Sequence, residues 1–573
     1  MFPLVRYLLP VVCLALALAT LGQSDASPQK KKKPARPQPP PAKEPADPLP
    51  EGAIVRLGKA EDVIRMAFSP DSQTLATGHS EEVRFWDVSS GEQLRSIRRP
   101  AGAHSLAFSR DGKAIVLGDG LLGIVECDVA RVRTLRAPLP AKDFNNPDLM
   151  LGGPSVSVAP DGKTLAACHP YGEAIQFWDL ATGKELKERE AKIKAFWEGK
   201  GGDVRDWIKS VVFSPTGTMV AAGGCYGPSG SGGSVYVWDT TGKWLQVLHG
   251  DRDVGVGTIS FSGDGRLLAC AAIHEKLPDQ KLQPANPFGE DEGKTIEVIR
   301  VWEVASGKEL FHLWGKRLLR GVVALSPDGR VLAWSGTGDD DHICLRDTTT
   351  GKELSKFRYH NTDVLYAVFS PDGKTLATTT GSQIFLWDVS GKRPPAWKVP
   401  ELSPKALDQL WADLANADVA VARRALWTLV AAPKQSAPLL RERLKPVPAV
   451  DAKRIAQLIA DLDSADFDMR EQATAELERL GLLAEPALRQ ALASRPSLEV
   501  RKRAEELLKK LERPITSPET LRNLRAIEAL EHIGIKEAKA LLQELAQGAP
   551  AALETQAAKE TLHRLEKRLA TSP

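Results

Sequence analysis

The sequence contains few cysteines and none of the short motifs that identify common enzymes. Six cysteines in 573 residues, with no C-x-x-C pair, exclude a disulfide scaffold and favour buried structural thiols. No G-x-S-x-G, H-E-x-x-H or phosphate-binding G-x-x-x-x-G-K-[ST] motif occurs, and the ten histidines form no i, i+4 pair. The sequence therefore predicts no catalytic residue, no metal site and no cofactor.

The composition excludes two broad classes of protein. With 42% hydrophobic and 26% charged residues, the chain is neither wholly disordered nor a polytopic membrane protein. The formal charge of +3 comes from the first 50 residues, because they carry +4 while residues 51–400 carry −2 and residues 401–573 carry +1. No folded segment is basic, which argues against a nucleic-acid partner.

The N-terminal segment has the features of an export signal. Arg6 precedes an apolar run, 7–21, that is too short to span a bilayer but suits the core of a signal peptide. We expect residues 1–26 to be cleaved and the protein to be periplasmic or extracellular; an uncleaved anchor on a cytoplasmic protein is the alternative. Residues 27–50, rich in proline and lysine, are expected to form a disordered linker. Membrane contact is expected only through an uncleaved N-terminal segment.

A pair of short motifs recurs seven times between residues 51 and 395. The first is Phe-Ser-Pro-Asp-Gly or a relative, at 68–72, 108–112, 158–162, 213–217, 261–265, 325–329 and 369–373. The second is Trp-Asp or a relative, at Trp86-Asp87, Cys127-Asp128, Trp178-Asp179, Trp238-Asp239, Trp302-Glu303, Arg346-Asp347 and Trp387-Asp388. The spacing of 40 to 64 residues and the Trp-Asp ends indicate β-propeller blades.

Over residues 51–395 the chain resembles bacterial WD40-repeat proteins, and the resemblance implies an all-β propeller of seven blades that binds protein partners. The family's Gly-His dipeptide is largely absent, with His360 as the nearest remnant, so its buried hydrogen-bond network is not expected in most blades. The last blade lacks an outer strand of its own. We therefore expect Ala53–Leu57 to pair with that blade and close the ring.

The long insertions all fall on one face of the predicted ring. They occupy 136–153, 191–207, 227–234 and 274–294, whereas the turns on the opposite face are short and uniform. Long loops on a rigid scaffold commonly carry binding sites, and aromatic residues are frequent interface anchors. The candidate contact residues on these loops are Phe144, Phe196, Trp197, Trp207 and Phe288.

From residue 401 onward the apolar period changes from two to about 3.6, which predicts helices. An internal repeat has an offset of 48 residues, since Asp418, Ala425 and Leu429 recur as Asp466, Ala473 and Leu477. The region 401–573 therefore resembles a HEAT-like helical repeat domain, with an irregular bundle as the alternative. Most of its charged residues are expected on solvated faces, and the expected N-caps are Ser403, Ser464, Ser497 and Ser517.

Taken together, these features favour a multidomain, exported, non-catalytic scaffold for protein partners. Binding is expected through the long-loop face of the propeller, with the helical repeats as a second surface. The alternative is an enzyme or a carbohydrate or small-ligand binder that uses the central pocket, which requires carboxylates or histidines converging on the axis of the ring.

Overall fold

The computed structural model describes most of the chain beyond residue 48. The described residues are 49–57, 63, 65–98, 105–109, 111–118, 122–126, 131–135, 155–168, 174–189, 191–192, 207–225, 233–250, 253–275, 295–314, 321–335, 342–358, 364–392, 401–511 and 515–571. The predicted export segment and nearly all of the predicted linker lie outside them.

The described part of residues 49–392 is almost entirely β-structure. In chain order the strands are β1 Ala53–Leu57, β2 Arg65–Phe68, β3 Thr74–Gly78, β4 Glu82–Asp87, β5 Gln93–Arg98, β6 Ser105–Phe108, β7 Ala114–Gly118, β8 Leu122–Glu126, β9 Arg131–Leu135, β10 Ser155–Val158, β11 Thr164–Cys168, β12 Ala174–Asp179, β13 Ala191–Lys192, β14 Trp207–Phe213, β15 Met219–Cys225, β16 Ser234–Asp239, β17 Trp244–His249, β18 Asp253–Phe261, β19 Leu267–Glu275, β20 Thr295–Glu303, β21 Lys308–Trp314, β22 Val323–Leu325, β23 Val331–Ser335, β24 His342–Asp347, β25 Glu353–Arg358, β26 Tyr366–Phe369, β27 Thr375–Thr379 and β28 Ile384–Asp388. A 3-10 turn, Lys187–Arg189, precedes β13.

The Ser-Pro-Asp-Gly motifs form the turns between first and second strands. In the turn before β27, the Ser370 hydroxyl donates to Asp372 at 2.6 Å and accepts from the backbone N–H of Thr375 at 3.0 Å. Gly373 has φ of 68°, which a side chain would strain. The same Ser-to-Asp hydrogen bond occurs at Ser69–Asp71, Ser109–Asp111, Ser262–Asp264 and Ser326–Asp328. These turns hold each first hairpin in one register.

The described strands form six sheets, whereas the sequence predicts seven separate blades. Five sheets have four strands each, and the sixth has eight, β14 to β21. Within this large sheet β14–β17 pair in succession, and β18–β21 do the same. A single pair, Cys225 with Gly255, joins β15 to β18. The seven predicted blades are therefore not seen as seven separate sheets, because this pair merges two groups of four strands into one.

The first strands lie side by side around a closed circuit. In order they are β2, β6, β10, β14, β18, β22 and β26, and β26 lies next to β2. The predicted closing strand is confirmed: β1 pairs antiparallel with β28, and Leu57 lies opposite Ile384. Leu57 is fully buried in a cluster that includes Trp86 and Leu386. The N-terminal strand therefore completes the last sheet of the β-propeller.

A helical region follows the propeller. Its helices are α1 Pro404–Asp413, α2 Val419–Ala431, α3 Pro433–Arg443, α4 Ala452–Asp461, α5 Phe467–Leu480, α6 Glu485–Ala493, α7 Leu498–Leu511, α8 Pro518–Ile533, α9 Lys536–Leu545 and α10 Leu553–Thr571. A 3-10 turn, Gly481–Leu483, lies between α5 and α6. No helix of the described residues has both the length and the apolar composition that crossing a bilayer requires.

The 48-residue repeat corresponds to repeated helices. Helices α1 and α2 begin 48 residues before α4 and α5, and the α2 positions Ala425 and Leu429 are buried like Ala473 and Leu477 of α5. Asp418 caps α2 and Asp466 caps α5, each by accepting a backbone N–H of its own helix. The predicted cap Ser464 is therefore wrong: its hydroxyl accepts from the N–H of Asp466.

Candidate interaction surfaces

The C-terminal helices cover part of the short-turn face of the propeller. This face carries the turns between first and second strands and between third and fourth strands. Lys243, in the turn before β17, forms an ion pair of 2.8 Å with Glu485 of α6. The guanidinium carbon of Arg330, in the turn before β23, lies 4.6 Å from the ring centroid of Trp427 of α2. The helices therefore contact the short-turn face at turns from the one before β17 to the one before β23.

A buried ion pair fixes α8 to the end of β20. The Nε and Nη2 groups of Arg525 donate to the two carboxylate oxygens of Glu303 at 2.7 and 2.6 Å. Nη1 of Arg525 donates to the carbonyls of Leu414 and Asn416, and Ser306 donates to Glu303. Burial alone would raise the pKa of Glu303, but the hydrogen bonds and charge of Arg525 outweigh it and lower the pKa. Glu303 is therefore an anion inside the interface.

A second cluster surrounds Arg266, in the turn before β19. Its Nη1 donates to Asp264 at 3.1 Å and to Glu531 of α8 at 2.8 Å, and its Nη2 donates to Thr561 of α10 at 3.1 Å. Arg564 adds two hydrogen bonds of 2.8 Å to Glu531. Burial opposes ionisation of Glu531, but Arg266 and Arg564 lower its pKa to about 2. The cluster thus joins two helices to one propeller turn.

His532, Asp264 and Glu528 are the three residues of this interface that resemble a metal site. Their ligand atoms lie within 4.8 Å of one another. However, Arg266 bonds Asp264 and lies 3.9 Å from Glu528, so a guanidinium already supplies the positive charge. Burial lowers the pKa of His532, whose ring packs on Trp427 with a centroid distance of 4.5 Å. We assign these residues to packing of the interface.

Four charged side chains of the helical region are exceptions to the predicted, mostly solvated placement of its charges. Arg423, Arg525, Glu528 and Glu531 are all buried. Arg423 donates to Glu528 at 3.3 Å within the helical region, while the others reach the propeller. Such pairs join residues that are more than 100 positions apart, so the local pattern of the sequence does not reveal them.

The Trp-Asp dipeptides occupy the ends of the third strands, as the sequence predicts. The tryptophans are buried: Trp86, Trp178, Trp238, Trp302 and Trp387. The aspartates accept hydrogen bonds within the following turn: Asp87, Asp179, Asp239 and Asp388. Hydrogen bonds from Ser89 and Ser90 lower the pKa of Asp87 to about 2. The dipeptides therefore act in packing and turn formation.

Part of the WD40 hydrogen-bond network is present in the β2–β5 sheet. The indole N–H of Trp86 donates to Thr77 at 2.9 Å, and the Thr77 hydroxyl lies 2.9 Å from Nε2 of His79. In the last sheet Trp387 donates to Thr378 at 2.7 Å. His79 was not among the predicted members of this network, although the Gly78-His79 dipeptide marks it; His360 lies outside the described residues.

The candidate contact residues of the long-loop face are mostly beyond what the structure describes. Phe144, Phe196, Trp197 and Phe288 all lie outside the described residues. Trp207 is the first residue of β14 and pairs with Cys225, so it belongs to a strand and not to the loop. Of the predicted loop 191–207, Ala191–Lys192 is likewise strand, β13.

The innermost strands show which groups are available near the axis. Their half-buried positions are mainly small or apolar, such as Ser155, Ser157 and Val212. Ser155 and Ser157 accept backbone N–H groups from β14, at 3.1 and 2.9 Å. Arg65 and Tyr366 are the large polar members of this set, with the guanidinium carbon 5.4 Å from the ring centroid. Among the described side chains of these strands there is no carboxylate or imidazole.

Comparison with protein families identifies three matches to the model "WD domain, G-beta repeat". They cover residues 54–87, 197–239 and 351–388. Each ends at or within one residue of a Trp-Asp dipeptide that the structure places at the end of a third strand. The matched segments thus correspond to structural repeats and not to the helical region.

Among curated proteins the chain is similar to several WD-repeat proteins. Mitotic checkpoint protein BUB3.1 of Arabidopsis thaliana is 29% identical over 125 residues, which are 22% of this chain and 35% of that protein. WD repeat and SOCS box-containing protein 1 of Xenopus tropicalis is 28% identical over 137 residues, 22% of this chain and 32% of that protein. The chain therefore spans about a third of the length of these relatives.

Among solved structures, Kuenenia stuttgartiensis hydrazine synthase aligns with 59% of this chain and 99% of that chain. The identity is 14% and the TM-score 0.46, so this likeness carries no argument about function. The three family matches and the sheet circuit support a coarser statement. The chain carries WD40 repeats in an N-terminal β-propeller, which is followed by a helical region.

Proposed function

We propose that the protein is an exported, non-catalytic scaffold that binds a protein partner through the long-loop face of its propeller. The observation that carries this proposal is the docking of the helices on the short-turn face. Because Arg525, Arg266 and Lys243 pair with residues across that boundary, the opposite face is the broad surface left to a partner at β14–β25. WD40 propellers commonly mediate protein interactions, which supports the same assignment.

The architecture extends this proposal in two respects. The eight-stranded sheet serves as two blades, so that seven innermost strands form a seven-bladed ring. The helices of residues 401–573 form HEAT-like repeats, and the common 48-residue offset of α1–α2 and α4–α5 supports this. The second repeat offers a further surface to a partner.

The test of the binding face is capture of a partner from a native extract. The bait is the full chain, compared with a Trp197→Ala, Phe288→Ala double variant. The control variant, Lys113→Ala with Lys374→Ala, removes two exposed lysines from turns of the short-turn face. We expect the loop variant to lose the partner while keeping its melting temperature, and the control variant to retain it. Capture that survives in the loop variant contradicts the assignment.

Export is tested separately by sequencing the N-terminus of the protein recovered from cells. A mature terminus between residues 20 and 27 agrees with a cleaved export signal. An intact Met1 on protein that stays in the cytoplasm contradicts export, without affecting the assignment of the binding face.

A further inference from the structure

The first helical repeat docks on an outer strand of the propeller. Val419, the first residue of α2, is 1% exposed and belongs to a buried cluster with Leu310 of β21. Ala420 packs against the same cluster. The Lys308 ammonium, at the start of β21, donates to the carbonyl of Ala417 at 3.4 Å. A capped helix start thus lies against an outer strand and buries one leucine of that strand.

In the second repeat the equivalent helix start is exposed to solvent, and the guanidinium carbon of Arg470 lies 5.6 Å from the ring centroid of its first residue, Phe467. Phe467 occupies the position of Val419, because Asp466 caps α5 as Asp418 caps α2. Yet Phe467 is 61% exposed. An exposed aromatic side chain at a repeated contact position is typical of an interaction site.

The matching strand position is found in the β2–β5 sheet. In β21, Glu309 lies opposite Trp302 and a bulge follows before Phe311 lies opposite Val301. In β5, Gln93 lies opposite Trp86 and the same bulge precedes the pair of Arg95 with Phe85. The residue inside each bulge is therefore equivalent: Leu310 in β21 and Leu94 in β5.

These equivalent leucines differ in exposure. Leu310 is 8% exposed, whereas Leu94 is 57% exposed. β5 is the edge strand of its sheet, and most of its side chains are exposed. An exposed edge strand with an apolar residue is a natural place for another chain to dock.

The charges of the two surfaces are complementary. Asp463, Asp466 and Asp468 are exposed around Phe467. Arg95 and Arg98 are exposed on β5, with Glu92 as the acidic residue of the turn before it. Opposite charges at the rim of an apolar contact favour the correct partner and increase the association rate.

We propose that the chain associates head to tail with a second copy of itself, through Phe467 of one copy and Leu94 on β5 of the other. This contact between two chains has the same form as the contact between Val419 and Leu310 within one chain. It is heterologous, so a pair of copies leaves Leu94 of the first and Phe467 of the second unoccupied, and further copies can add. This contact is separate from the long-loop face.

The experiment measures the mass of the full-length chain in solution by light scattering over a dilution series. We expect the wild type to reach at least twice the monomer mass on concentration, and to dissociate when the salt concentration rises. Phe467→Ser and Leu94→Ser should each remain monomeric. A mixture of the two single variants should form a one-to-one complex, because the intact Phe467 of one chain meets the intact Leu94 of the other.

The control is Ile54→Ser, which removes an exposed apolar residue from another outer strand, β1, and should leave association unchanged. A monomeric wild type overturns the proposal, as does association that survives either Phe467→Ser or Leu94→Ser alone. A mixture of the single variants that stays monomeric also overturns it. All three positions are exposed, so we expect each variant to fold, with a melting temperature close to that of the wild type.

Discussion

Arg525 and Glu303 lie 222 residues apart and form two hydrogen bonds of 2.7 and 2.6 Å inside the boundary between helices and propeller. Both residues are buried, and Arg525 also bonds the carbonyls of Leu414 and Asn416 at the end of α1. One guanidinium therefore joins α1, α8 and β20. The pair is one of the contacts that hold the helices on the short-turn face.

Breaking this pair on one side should strongly destabilise the protein. Arg525→Leu leaves the Glu303 carboxylate buried without its guanidinium, which should cost about 3–5 kcal/mol in the free energy of unfolding. Arg525→Leu combined with Glu303→Leu should recover much of that loss. Arg441→Leu, which removes an exposed ion pair with Glu544, is the control and should cost no more than about 1 kcal/mol. Denaturant unfolding measures all of these; equal losses for Arg525 and Arg441 would contradict the account.

The interface carboxylates should make stability sensitive to acid. The pKa of Glu531 is lowered to about 2 from its ordinary 4.5, so the unfolded state binds more protons between these values. The contribution of Glu531 to the free energy of unfolding should therefore be complete above about pH 4.5. It should decrease by roughly 3 kcal/mol as the pH falls toward 2. Glu531→Gln should show a flatter acid limb, and Glu505→Gln, on the exposed side of α7, should match the wild type.

Glu297 of β20 should have the opposite effect on stability. It is buried beside Gly321, and burial raises its pKa from 4.5 to about 8. The folded state then holds a proton that the unfolded state releases, so stability should fall as the pH rises from 4.5 to 8. In the wild type, Glu297 should make the free energy of unfolding roughly 3 kcal/mol lower at pH 8 than at pH 5, and Glu297→Gln should abolish this difference. Denaturant unfolding at the two pH values measures it. Glu81→Gln, at an exposed position, is the control, and identical slopes for the two variants would count against this assignment.

Closure of the ring by β1 is tested at two positions of that strand, one buried and one exposed. Leu57→Ala removes a fully buried side chain and should cost about 2–5 kcal/mol. Ile54→Ala removes a side chain that is 48% exposed, so it should cost less than about 1 kcal/mol. Thermal unfolding of the two variants gives the comparison. Similar melting temperatures for Leu57→Ala and the wild type would show that β1 does not support the fold.

The repeated features of the fold could be predicted because they are local in sequence. The Ser-Pro-Asp-Gly turns, the buried Trp-Asp ends and the change to helical periodicity each depend on residues within a few positions. The closing strand was also predictable, because a last repeat without an outer strand and a spare strand at Ala53–Leu57 leave one arrangement. Cys168, Cys270 and Cys344 are buried, as their separate positions predicted.

The features that depend on distant pairs could not be predicted. The pair Cys225–Gly255, which merges two groups of strands, involves no motif residue. Glu303 occupies the aspartate position of a repeat, and nothing in its motif indicates that Arg525 reaches it. Helical charges that pair with the propeller have the same spacing as charges that face solvent. The contact of Val419 with β21 likewise follows from tertiary packing alone.

The most direct measurement of the central claim is photo-cross-linking from single positions of the propeller in a native extract. The account predicts that a photoreactive residue at position 197, which the sequence assigns to the long-loop face, forms a covalent adduct with one protein partner. The same residue at position 113, an exposed position in a turn of the short-turn face, should form none. A partner cross-linked from position 113 and not from position 197 would contradict the assignment of the binding face.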